Sequence, residues 1–305
     1  MKNLAPIVIF AYRRKSKLKN LINSILRNNE SKNTLIYFFQ DSYKDSEDMN
    51  DVIKVRKYIL EIKGFKKKII IFRKKNLGLA NNIISGINLV FKKHGKAIFL
   101  EDDLIVSSNF IRFMNEALVK YYKNNNVWHI NGWSYKLGSK LNYDVFFVKN
   151  MNCWGWATWR DRWRKFDKNP YKFIRIFNKR MIFEFNFNNQ INNWSQIIRN
   201  FKKKISTWAI FWYATIFVNK GLCLSFSQSL IRYDGFDLKS THSHYKSPYN
   251  NIYKNSLSKK KFINFPSIVK EDLNYINNLS AFIKEKRNFL FRLNNIIRKI
   301  FKMVN

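Results

Sequence analysis

Hydrophobic residues along the first 130 positions switch between short unbroken runs and a spacing of three or four. The unbroken β-branched and aromatic runs predict buried strands at 6–12, 35–40, 68–72 and 97–100. Between them, Leu18, Leu21, Ile22 and Ile25 predict a helix over 17–26, with Ser16 as its N-cap. Val52, Val55, Ile59 and Ile62 predict a second over 47–62, ended by Gly64. Ile83, Ile87 and Val90 predict a third over 79–93, closed by Gly95. A helix over 109–123 and strands at 127–133 and 145–148 follow. This alternation implies an α/β fold with a mainly parallel sheet covered by helices on both faces.

Past residue 150 the pattern loosens. "MNCWGWATWRDRW" is densely aromatic, with Trp154, Trp156, Trp159 and Trp163 close together. No single element turns all four to one side, so most are expected in the core and one beside a pocket. Residues 167–205 are polar and rich in Asn, Lys and Phe, which suggests a mobile lid or an insertion on the acceptor side. Residues 205–219 are uncharged and too short to span a membrane, so 208–218 is expected as a buried helix. A turn and strand follow over 221–231. The opening "MKNLAPIVIFAYRRK" resembles a short signal peptide but lacks a small-residue cleavage site, and reads as a first strand.

Composition changes the picture mainly through charge. Of 305 residues, 57 are Lys or Arg and 20 are Asp or Glu, a formal charge of +37. That balance fits a nucleic-acid binder, a protein on an anionic membrane, or a lysine-rich compositional bias. The lysines fall in short runs rather than one patch, and no nucleic-acid-binding motif is visible, so no specific nucleic acid is expected. Cys153 and Cys223 have no metal-ligand spacing, which suggests a reducing compartment. The absence of GxGxxG after the first strand argues against a dinucleotide site, and there is no P-loop. Residues 256–305 are basic and read as a helical extension. Phe282, Phe289, Leu293, Ile296 and Ile300 recur at helical spacing among seven cations. The two readings are an interfacial helix on an anionic membrane surface and a helix docked on the body.

Against that cationic background, "LEDDLIVSSNF" places Glu101, Asp102 and Asp103 side by side after a buried strand. In sheets of this class ligands bind at the carboxyl ends of strands. Paired carboxylates there suit a hard divalent cation completed by water and phosphate oxygens. Alternation along an extended chain would send Asp103 to the metal and Asp102 to a sugar hydroxyl. The other reading is a solvated turn. His242 and His244 form an H-x-H pair, either a late metal ligand or surface histidines.

Several stretches then fall into one pattern: "IVIFAYRR", "FFQD", "NLGLANNIISGI", "LEDDLIVSSNFIRFM", "VWHINGW", "CWGWATW" and "GFDLKSTHS". In this order, over roughly residues 5–245, the chain resembles sugar-nucleotide-dependent glycosyltransferases of the GT-A fold. It looks most like bacterial ones related to N-acetylglucosaminyltransferase I. The resemblance implies a Rossmann-like mixed sheet flanked by helices, forming a catalytic domain over 1–255. It also implies a nucleotide-diphospho-sugar donor, a manganese or magnesium ion, and a glycan or lipid-linked acceptor in surface polysaccharide synthesis. Work at the cytoplasmic face of the cell membrane, as a peripheral protein, goes with it. By position, Arg13 matches a diphosphate contact, Asp41 the acid that reads the base, and Asp103 the metal ligand. Asp102 matches a donor contact, Trp154 and Trp156 the turn bordering donor and acceptor, and His242 a late metal or diphosphate contact. Where relatives carry a catalytic Asp between aromatics, "STWAIFWYA" has Ala209. Asp237 is the replacement candidate for the base, with Asp161 and Asp234 as the others. A nucleotidyltransferase making an activated sugar is the competing enzyme class, but "AYRRKSK" lacks its usual glycine-rich loop.

Overall fold

The computed structural model describes residues 3–135, 137, 143–235, 256–260 and 263–285. In chain order the first half runs β1 (Ile7–Ala11), α1 (Lys15–Leu26), β2 (Leu35–Gln40), α2 (Ser46–Glu61), β3 (Lys67–Phe72), α3 (Leu79–Lys93) and β4 (Lys96–Glu101). It continues with β5 (Leu104–Val106), α4 (Phe110–Lys120), β6 (Val127–Asn131), β7 (Val145–Val148) and β8 (Trp156–Trp159). Then come α5 (Arg160–Trp163), α6 (Pro170–Ile176), α7 (Lys179–Phe185), α8 (Trp194–Phe201), α9 (Ala209–Val218), β9 (Leu222–Phe226) and β10 (Ile231–Tyr233).

One eight-stranded sheet has the order β3-β2-β1-β4-β8-β6-β9-β7. Its first four strands are parallel, β8 runs antiparallel between β4 and β6, and β7 closes the far edge antiparallel to β9. This is a mixed, Rossmann-like sheet flanked by helices. Period-two alternation sorts the strand residues to two faces. Ile7, Ile9, Ile36, Phe38, Ile98 and Leu100 share one core with side chains of α1, α2 and α4. Val8, Phe10, Tyr37, Phe39, Ala97 and Phe99 share another with α3, Trp208 and Trp212.

Local departures have local causes. The first helix begins at Lys15 with no side-chain cap, so Ser16 lies inside its first turn instead of capping it. Asp45 caps α2 by accepting from the Asp48 amide at 3.2 Å. The β6 strand stops at Asn131 because the Gly132 amide turns to donate to the Gly155 carbonyl at 2.7 Å.

The polar stretch 167–205 is neither strand nor long helix. It forms α6, α7 and α8, and Phe173, Phe177, Phe185 and Ile197 pack with Ile210, Phe211 and Tyr213 of α9. Asn169 and Asn178 cap α6 and α7 through their side chains. The α9 helix thus lies between this cap and the sheet, which explains a helix apolar on all sides. No helix among the described residues is long and apolar enough to cross a membrane.

The described part of 256–285 is packed into the body. Ser258 donates its amide to the Ser229 carbonyl at 2.8 Å, and Phe265 stacks on Phe113 with centroids 5.5 Å apart. Residues 273–285 are helical, and Tyr275, Leu279 and Ile283 are buried against Phe146 and Val148. Residues 286–305, most of the basic tail, lie outside the described residues.

Candidate active site

Register brings three segments to one edge of the sheet. Ala11 pairs with Gln40, and Phe10 with Glu101, so residues 12–14, Asp41 and 102–103 emerge together at the carboxyl ends of β1, β2 and β4. Neighbouring parallel strands lie about 4.8 Å apart, so side chains from all three can meet one ligand.

Asp102 and Asp103 occupy the turn between β4 and β5 and are almost fully buried, at 4% and 7% exposure. Strand alternation therefore does not separate them. Nη2 of Arg14 donates to Asp102 Oδ1 at 2.9 Å and to Asp103 Oδ2 at 2.7 Å. Asp102 Oδ2 accepts the Tyr12 amide at 3.1 Å, so both of its oxygens are used by the protein. Asp102 thus orients Arg14, and its oxygens keep lone pairs for the donor contact expected of it. Asp103 keeps Oδ1 clear of any described donor.

The electrostatics follow from burial. Burial disfavours the Arg14 charge, but Asp102 and Asp103 outweigh it and hold the guanidinium above its ordinary range. Burial raises the Asp102 pKa, with Arg14 opposing. The Glu101 side chain makes no hydrogen bond to described residues; burial, then the charges of Asp103 and Asp102, push its carboxyl up. The Cys153 thiol is raised by burial and then by the charges of Glu101 and Asp103.

Arg13 points elsewhere. It pairs with Asp48 and lies over the Tyr12 ring, while the Tyr12 hydroxyl also donates to Asp48. The arginine that reaches the acidic turn is Arg14. Asp41 is buried, and its Oδ1 accepts the amides of Ser42 at 3.0 Å and Leu77 at 2.9 Å. No described donor meets its other oxygen.

The far wall is made by β5 and β10, paired antiparallel. The Asp234 amide donates to the Asp103 carbonyl at 2.8 Å. A Cβ on Gly235 would come within 2.5 Å of Asp103 Oδ2, so this glycine admits close backbone approach. Trp154 is half-buried and stacks on Tyr233 with centroids 4.5 Å apart at 9°. Trp156 is not at the surface of the site. It is buried at 2%, stacked on His129 and Trp208, and supports the site from within the core. Trp159 and Trp163 are buried as well.

Asp161 is at the wrong end of the molecule for a base. Trp159 pairs with Lys96 at the start of β4, about 16 Å from the acidic turn at 3.3 Å per residue. Its carboxylate pairs with Arg162. Asp234 accepts from Lys17 and Asn20 of α1, each at 3.3 Å. Ala209 lies at the start of α9, packed into the core beneath the sheet. Asp237, His242 and His244 lie outside the described residues.

Among the described residues no group of three or more His, Cys, Asp and Glu side chains forms a metal cage. The open oxygen of Asp103 nevertheless fits a hard cation that takes its other ligands from water and phosphate. Fold and site together define an α/β protein with an acidic turn at the carboxyl edge of its parallel strands. No family model matches the chain, and neither does any curated protein. Among solved structures it is similar to S. aureus TarS, with TM-score 0.36 and 11% identity over 54% of this chain and 30% of that one. It is also similar to residues 1–349 of S. aureus TarS, with TM-score 0.40 and 8% identity over 74% and 59% of the two chains. The chain thus spans less than two thirds of either.

Proposed function

We propose that this protein is a glycosyltransferase that moves a hexosyl or N-acetylhexosaminyl group from a nucleotide-diphospho-sugar to a glycan or lipid-linked acceptor. The observation that carries the reading is the buried Arg14–Asp102–Asp103 cluster beside Asp41, on adjacent strand ends of a GT-A-type sheet.

The free oxygen of Asp41 accepts from the nucleotide base, with the carboxylate held in place by two backbone amides. Arg14 is fixed by Asp102 and offers its Nε and Nη1 hydrogens to the diphosphate. Asp103 Oδ1 would hold a manganese or magnesium ion, with His242 as a further ligand. When bound, that ion supplies Lewis-acid stabilisation of charge on the leaving group. Trp154, backed by Tyr233, borders the sugar. Asp237 takes the acceptor proton, and attack from the side opposite the leaving group inverts the anomeric centre. The charge of +37 and the basic stretch after residue 285 support work at an anionic membrane surface, on the cytoplasmic side, in surface polysaccharide synthesis.

The test is nucleotide-diphosphate release from a panel of sugar nucleotides, with manganese and with EDTA. Wild type should release from one donor only with metal, and Asp103→Asn should lose roughly 100-fold or more at unchanged melting temperature. Full metal-dependent release by Asp103→Asn would remove the assignment.

A further inference from the structure

At the opposite end of the sheet from the acids, a cavity of about 670 Å³ opens between the last turns of α3 and the α5 segment. The Arg160 amide donates to the Gly95 carbonyl at 2.8 Å, which fixes this place at the amino end of β4. Its volume is in the range of small-ligand sites. Its floor is aromatic: Trp163 and Phe166 stack with centroids 4.4 Å apart at 6°. The Trp163 indole is locked by a 2.8 Å bond to Asn88 Oδ1. Its rim is cationic, formed by Lys92, Arg160 and Arg164.

These three cations are unlike the arginine between them. Arg162 points inward and is used up by the Tyr122 and Asn124 carbonyls, the Trp159 ring and Asp161. The side chains of Arg160, Arg164 and Lys92 have no ion-pair or hydrogen-bond partner among the described residues. Arg160 and Arg164 are four residues apart on a helical turn, where like charges repel. The nearest acid in the chain, Asp161, is already committed to Arg162. An anion between the rim cations relieves that repulsion, and an apolar body attached to it covers the Trp163–Phe166 floor.

We propose that this cavity is a second binding site, separate from the acidic turn, for a phosphate group carried on an apolar or aromatic body. Two sources share that chemistry: a phospholipid headgroup and a soluble phosphate ester. Arginine suits either because its planar fork matches phosphate oxygens.

The experiment uses the full chain and two variants of equal net charge. One is Lys92→Gln/Arg160→Gln/Arg164→Gln. The other, Lys19→Gln/Lys57→Gln/Lys120→Gln, removes three exposed lysines elsewhere. Binding of phenyl phosphate is measured by calorimetry, and sedimentation with phosphatidylglycerol vesicles is compared with pure phosphatidylcholine. The proposal expects the rim variant to bind at least one probe roughly tenfold or more weakly, with the control variant within about twofold of wild type. Loss confined to the vesicles identifies a headgroup, and loss of phenyl phosphate identifies a soluble ester. Equal weakening in both variants would show only diffuse attraction by the cationic surface and overturn the site. So would a wild type that binds neither probe. Sugar-nucleotide turnover in the rim variant should match wild type, which keeps this result independent of the transferase reading.

Discussion

Buried completely in β6, the His129 ring is held neutral by its burial. Its Nε2 donates to the Asn152 carbonyl at 3.1 Å, and its Nδ1 accepts from the Trp212 indole at 3.1 Å. Burial pulls its pKa down to about 3, against the smaller opposing effect of the Asn152 carbonyl. An unfolded histidine takes its proton near 6.5, so between that pH and about 3 the unfolded chain binds more protons than the fold. Stability from this residue is therefore present above pH 6.5 and is lost as pH falls through that window. His129→Gln, which can still donate and accept, should unfold with about one proton fewer taken up. Melting temperature measured from pH 7.5 down to pH 4 should fall less steeply in the variant; parallel curves would show that His129 does not set the acid sensitivity.

At the scale of elements, the site depends on two backbone segments that touch. Gly132 at the end of β6 and Gly155 before β8 are joined by the 2.7 Å amide–carbonyl bond. A Cβ on Gly132 would strike the Gly155 carbonyl oxygen, which is backbone and cannot rotate away. Gly132→Ala should therefore cost about 1–3 kcal/mol and displace the Trp154 turn, lowering donor turnover as well. Gly95 has open space around its Cα and no left-handed backbone, so Gly95→Ala should be neutral or stabilising by about 0.4–1 kcal/mol. Urea midpoints of the two variants make the comparison, and equal midpoints would mean that the close approach has no energetic weight.

At the scale of the whole molecule, the segment after 256 is tied to the β7 edge of the sheet, which in turn reaches α7. Glu271 bridges to Phe147 and its carboxylate meets Lys149 at 3.2 Å, while Lys149 also reaches Glu184 of α7 at 3.3 Å. Truncation after residue 285 should weaken sedimentation with anionic vesicles, because Lys286, Arg287, Arg292, Arg298, Lys299 and Lys302 are removed. Truncation after residue 270 would uncover Phe146 and Val148 and remove Tyr275, Leu279 and Ile283. Each of those side chains is worth about 1.5–3 kcal/mol in burial, so that shorter chain should be markedly destabilised. Vesicle sedimentation of the longer truncation and a thermal melt of the shorter one check these expectations.

Local pattern alone determined a great deal. Apart from β5, the strand and helix positions up to residue 120 follow from apolar spacing, because burial on one or two faces repeats with the geometry of each element. The acidic turn after β4 and the apolar helix α9 were legible for the same reason. The helices α6 and α7 were not, because seven-residue helices set off by Asn caps are too short to show a period. The choice of Arg14 over Arg13 was also beyond the sequence. Adjacent arginines look alike there, and the partner that separates them, Asp102, lies 88 residues away. Asp161 shows the same limit from the other side. Its neighbours read as a site, but antiparallel pairing of β8 with β4 carries it to the far end of the sheet. Periodicity records which face of an element is buried; only closure of the chain decides which charges meet, since that depends on strand order and direction.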